Sequence, residues 1–151
     1  MSISQTSGSE SGHSRPYGPG QSILREGEYL VRNIVAADPD TGVIAVAADV
    51  EEGQSILSAH REPGAARDDV ARMAARAAAG APPGGYRFGL YFNCLARGRS
   101  LYGREGIDSA ALARHLPSVP LLGFFCNAEI APLRGANHLF TYTGVLVLFS
   151  D

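Results

Sequence analysis

The sequence contains no lysine: all 13 of its basic residues are arginine, set against 15 acidic residues, for a formal net charge of -2. A near-balance of this kind generates no field that recruits nucleic acid or an anionic membrane, and no basic stripe substitutes for one. The missing lysine, together with abundant alanine and glycine, points to a GC-rich coding bias rather than to a function. Cysteine is scarce as well. Cys94 and Cys126 are the two present, they form no CxxC, and no secretory signal precedes them. Reduced thiols in a cytoplasmic protein are therefore expected. Nor does any apolar run approach the roughly 18 residues of a membrane span.

What is present divides at about residue 24. The first 24 residues, beginning "MSISQTSGSESGHSRPYGPG", carry too little apolar surface to offset the entropy of ordering, and a disordered polar tail is predicted there. Residues 25–151 read as one domain, and a chain of 151 residues is long enough to bury a core.

Within that domain "EYLVRNIVAAD", "VIAVAADV" and "QSILSAHR" are strand-like, and "DPDTG" and "EEG" are turns between them, which predicts an antiparallel meander. The period then changes. In "GAARDDVARMAARAAAG", Val70, Met73, Ala74 and Ala77 form one helical stripe. Asp68 and Asp69 are expected in its first turn, with an Asp68–Arg72 pair along the face and Gly80 and Pro82 as the stop. "GYRFGLYFNC" and "VPLLGFFCN" predict two buried strands, the first of them central. Between them lie a loop, "LARGRSLYG", and a second helix with Asp108 at its N-cap and an Ile107–Leu112 staple. "HLFTYTGVLVLF" is expected to close the chain as one long strand. The fold class is α+β: a mixed, mostly antiparallel sheet with two helices packed on one face.

Candidate chemistry collects where strands end in polar tips. Asn93 and Cys94 lead to Arg97; Cys126 and Asn127 lead to Glu129. If the two strands are parallel neighbours, both tips share one edge. Arg97 would then offer a fork for a carboxylate and Glu129 an acceptor for an ammonium, with Gly98 and Gly103 letting a ligand approach the backbone. That pattern matches a free amino acid or a similar zwitterion. The alternative is that Arg97 and Glu129 pair with each other and merely fasten two loops. Cys94 as a nucleophile would need a base, and His60, His115 and His138 are available without being placed by sequence. A metal site from Cys94, Cys126 and a histidine lacks the short spacing that holds two donors together.

The same residues carry a family resemblance. "GEYLVRNI", "FNCLARGRSLYG", "LLGFFCNAEIAPLRGANHLF" and "YTGVLVLF" resemble the C-terminal half of the FIST sensory domain, found in bacterial signal-transduction proteins and in a eukaryotic F-box protein. The resemblance runs from about Gly27 to the end, and the N-terminal half of that domain has no counterpart. It implies a non-enzymatic sensory module without a cofactor that binds a small ligand, amino acids being the proposed class. Cys94, Arg97, Gly98, Glu105, Gly123, Phe125 and Glu129 stand at motif positions. Ala128 replaces a glycine of the family, and Phe140 and Thr141 stand where it tends to have histidine and asparagine. The expected binding set is Cys94, Arg97, Gly98, Glu105, Asn127 and Glu129, with no metal. A second expectation is a module that self-associates or pairs with a partner chain supplying the missing half.

Overall fold

The computed structural model describes residues 2–6, 30–133 and 135–151, and the chain divides into two compact units, Met1–His60 and Arg61–Asp151. In the first unit, β1 (Ser2–Thr6), β2 (Leu30–Ala37), β3 (Ile44–Val46) and β4 (Ser55–Ala59) form one sheet in the order β3-β2-β1-β4. The β2–β3 hairpin turns as expected. The Asp38 carboxylate accepts the Asp40 N–H at 2.9 Å and the Thr41 hydroxyl at 2.7 Å, and Gly42 takes a φ of 72°. The meander stops there, because β4 pairs antiparallel with β1 rather than with β3. The tail expected over residues 1–24 lies mostly outside the described residues, but Ser2–Thr6 is a strand. Two neighbouring strand edges can order a polar segment through main-chain hydrogen bonds alone, independently of its side chains.

The second unit begins with α1 (Pro63–Ala79). Glu62 caps it, its carboxylate accepting the N–H groups of Gly64 and Ala65, and Pro63 presets the first turn. The helix thus starts earlier than its apolar stripe suggests. Asp68 and Asp69 fall outside the first turn, and Arg72 pairs with Asp69 at 3.2 Å instead of with Asp68. The stripe itself is correct: Val70 and Ala74 are buried, and Met73 packs against them.

β5 (Phe88–Cys94) is the central strand of a three-stranded sheet, order β6-β5-β9. β6 (Leu121–Cys126) runs parallel to it, with Cys94 beside Cys126, and β9 (Gly144–Phe149) runs antiparallel. Between β5 and β6 the chain makes a short 3-10 turn over Leu95–Arg97, then α2 (Arg99–Tyr102) and α3 (Ile107–His115). Three α-helices thus stand among the described residues where two were expected, because the "LARGRSLYG" segment is itself partly helical. Val70 and Ala74 of α1, Tyr91 of β5 and Leu112 of α3 make the buried core, so helices cover the Tyr91 face of the sheet.

The final segment is not one strand. β7 (Glu129–Leu133), which pattern reading missed, pairs with β8 (Ala136–Phe140) as a separate two-stranded sheet. Tyr142, at φ 63°, breaks β8 from β9; a left-handed residue cannot continue a ladder. β6 also departs from expectation. It is an edge strand, and Leu122 and Phe124 are 73% and 63% exposed. Cross-strand partners share a face, so Leu122, Leu90 and Val147 lie together on the side away from the helices, as do Phe124, Phe92 and Val145.

Candidate functional site

The polar centre of the second unit grows from the face of β5 that meets the helices. Side chains alternate along a strand, so Tyr91 and Asn93 both enter the helical layer. Tyr91 has room to do so because Gly144 of β9, where a Cβ would collide with the Tyr91 ring, has no side chain, and its neighbour on β6 is Gly123. The tyrosine hydroxyl then reaches Asp108, in the first turn of α3.

Asp108 is 4% exposed and its carboxylate takes five hydrogen bonds. Oδ2 accepts from Tyr91 (3.0 Å), Asn93 Nδ2 (3.0 Å) and Arg97 Nε (3.0 Å); Oδ1 accepts from the Tyr102 hydroxyl (2.8 Å) and Arg97 Nη2 (3.3 Å). Arg97, 8% exposed, also donates from Nη2 to Tyr102 and to the Ala66 carbonyl. Its Nη1 makes no hydrogen bond among the described residues. Burial opposes the charge on Arg97, but the Asp108 hydrogen bonds and charge offset that and raise its pKa. Burial, reinforced by the Asp108 carboxylate, pushes the phenols of Tyr91 and Tyr102 up, so both stay protonated donors.

Asp108 is not the N-cap. Gly106, at φ 77°, holds that position without a side chain to cap the helix, and the aspartate side chain turns inward. Reading Asp108 as a cap missed the hub of the site. One signal was available: a Tyr-x-Asn pair on the core face of a central strand places polar groups where apolar ones belong, and such groups require a buried partner.

A cavity of about 480 Å³ opens between α3 and β6. Its polar end is formed by Asn93, Arg97, Asp108 and the start of α3; Leu112, Leu116, Leu121 and Phe125 belong to its apolar wall. Arg97 and Gly98 are the members of the expected binding set that line it. At Gly98, an added Cβ would come within 3.2 Å of the Phe125 ring, so the glycine accommodates that ring. Glu105 and Asn127 are exposed outside the cavity. Cys94 is buried at the end of β5, where its Sγ accepts the Tyr142 N–H at 3.3 Å. Tyr142 lies under the guanidinium of Arg61, 4.4 Å from its ring centre, and Arg61 donates to the Ala96 carbonyl at 2.7 Å.

Glu129 is 2% exposed and does not line the cavity. Among the described residues neither carboxylate oxygen has a partner at hydrogen-bond geometry. Burial pushes its carboxyl up; the nearby Thr143 backbone, the Arg97 charge and the Cys94 thiol oppose the shift without cancelling it. Arg97 and Glu129 therefore form neither an open clamp nor an ion pair, because Asp108 holds the guanidinium. Among the described residues no group of three histidine, cysteine or acidic side chains is placed to hold a metal ion, and no helix is long and apolar enough to cross a membrane.

With the fold and this geometry established, the class of protein follows from comparison. The FIST C domain family matches residues 7–132, and the chain belongs to that family. The match starts earlier than the resemblance traced from Gly27 and stops at residue 132, short of the chain end to which that resemblance ran. Among relatives, an uncharacterized protein of Mycobacterium tuberculosis is 38% identical over 126 residues, which cover 83% of this chain and 33% of the relative. An uncharacterized protein of Mycobacterium bovis is 34% identical over 126 residues, covering 83% of this chain and 32% of the relative. The chain thus spans about a third of the length of these relatives. No solved structure matches it.

Proposed function

We propose that this chain is a sensory module of bacterial signal transduction that binds a small molecule in the cavity between α3 and β6 and carries out no chemistry on it. Membership of the FIST C family supports the sensory role, and the relatives are mycobacterial. The observation that carries the binding role is the cavity itself. Its 480 Å³ lies within the roughly 300–1,000 Å³ of small-molecule sites, and its walls are mostly apolar with a few convergent polar groups. Catalysis finds little support in the same place. Asp108 is fully engaged by donors, and the Cys94 thiol stands outside the lining. Free thiols at Cys94 and Cys126 favour the cytoplasm as the working compartment.

The amino-acid class that the resemblance implies fits only in part. A carboxylate would meet Arg97, but the ammonium loses its intended acceptor, because Glu129 does not line the cavity. The test is a titration of the full chain with a panel of small metabolites, common amino acids included, followed by heteronuclear NMR. Micromolar binding, roughly 8 kcal/mol, with shifts at Asn93, Arg97 and Ser109 is expected. No shift at those residues with any panel member at millimolar concentration would overturn the reading.

A second reading rests on the apolar sheet face where Leu122, Phe124 and Val147 are exposed beside the half-buried Leu90, Phe92 and Val145. Such a patch marks an interaction surface, for a second copy or for a partner chain. Sedimentation velocity decides: a monomer at all concentrations, with no binding of a hydrophobic dye to that face, removes it.

A further inference from the structure

We propose that the cavity selects a small anionic amphiphile, a carboxylate on an apolar body, and discriminates against zwitterions. This rests on the reading of the cavity as a ligand site and names the class of molecule it takes. Four observations converge on it. First, among the described residues Arg97 is the one basic side chain in the lining and Asp108 the one acidic side chain. The carboxylate of Asp108 is saturated by Tyr91, Asn93, Tyr102 and two nitrogens of Arg97, which leaves it no capacity to receive an ammonium. Second, the guanidinium is nine-tenths buried and its Nη1 makes no hydrogen bond among the described residues, so among those residues the polar end has a charged donor to spare and no charged acceptor.

Third, Gly106, Ile107, Asp108 and Ser109 line the same end. They begin a helix with no side-chain cap, whose first N–H groups and dipole favour negative charge. Fourth, the remainder of the lining is mostly apolar, including Leu112, Leu116, Leu121 and Phe125, and among the described residues it holds no further charged side chain. A monoanion with an apolar tail satisfies both ends. A zwitterion would bring its ammonium beside Arg97 with no carboxylate to receive it, at a desolvation cost that the wall does not offset.

The experiment compares three molecules of equal length by calorimetry on the full chain at neutral pH: octanoate, octanamide, and the α-amino derivative of octanoate. The expected order is octanoate tightest, with the amide and the amino acid each about tenfold weaker. The variant Ala113→Trp, which fills the cavity from an exposed helix position, should lose octanoate binding by at least about tenfold while its circular dichroism is unchanged. Equal or tighter binding of the amide or the amino acid, abolished in Ala113→Trp, overturns the anion preference but leaves the ligand-binding reading standing. Octanoate binding that survives Ala113→Trp lies elsewhere and overturns the proposal. No heat with any of the three overturns the anion preference; the metabolite panel then decides whether the ligand-binding reading falls with it.

Discussion

Two carboxylates in this molecule are buried to nearly the same degree, Asp108 at 4% and Glu129 at 2% exposure, and they sit in opposite circumstances. Asp108 lies where a helix start, a 3-10 turn and a central strand converge, and it takes five hydrogen bonds, two of them from a cation. Glu129 opens the β7–β8 hairpin, and among the described residues neither of its oxygens has a partner at hydrogen-bond geometry. The difference teaches that burial alone does not define a functional carboxylate. What matters is the donors that the fold supplies. Around Asp108 they are supplied in full, which locks Arg97 into the cavity floor. Around Glu129 the Thr143 backbone, the Arg97 charge and the Cys94 thiol oppose desolvation without cancelling it, and the carboxyl is pushed up toward its neutral form.

Removing the hub should have the largest effect. Asp108→Ala strands the Arg97 charge and several hydroxyl and amide donors in the interior, and stability to urea should fall by about 3–5 kcal/mol. A loss below 1 kcal/mol would mean that the network is ornamental. Tyr91→Phe is smaller, about 1–2 kcal/mol, because it removes one donor to a charged acceptor and leaves the ring in place. The effect of Glu129→Gln should have the opposite sign. The native carboxyl has a raised pKa, so its neutral form is favoured in the fold. The associated stability is fully present below the ordinary glutamate value and is lost as pH rises through the folded pKa. Glu129→Gln should therefore raise the melting temperature by a few degrees at pH 7 and change it little near pH 4, as followed by scanning calorimetry. Least of all, Glu105→Ala, at an exposed position between α2 and α3, should stay within about 0.5 kcal/mol of wild type and leave octanoate affinity unchanged.

Much of this arrangement was legible in advance. Two short apolar runs separated by a helix admitted parallel neighbours as a condition, and β5 and β6 meet it, with polar tips side by side at Cys94 and Cys126. The apolar stripe of α1 and the α+β class follow from periodicity. What could not be read is which polar group a tip side chain would meet. Placement just after neighbouring strand tips and opposite charge nominated Glu129 for Arg97, whereas the turn over Leu95–Arg97 carries the guanidinium back to the start of α3. A Gly-Ile-Asp start looks like a cap when the backbone is unknown; the left-handed Gly106 turns it into a hub. The long terminal strand failed for a similar reason, since nothing in "FTYTG" announces that Tyr142 will adopt a positive φ. The exposure of Leu122 and Phe124 was hidden because pattern reading sees apolar faces without seeing whether anything covers them.

The allocation of Arg97 to Asp108 underlies both the network and the shape of the cavity's polar end, and a pair of double-mutant cycles tests it directly. Arg97→Met is combined with Asp108→Asn in one cycle and with Glu129→Gln in the other, and each is measured by urea denaturation. The account predicts a coupling of about 2 kcal/mol or more for Arg97 with Asp108, and less than about 0.5 kcal/mol for Arg97 with Glu129. The reverse ranking would contradict it.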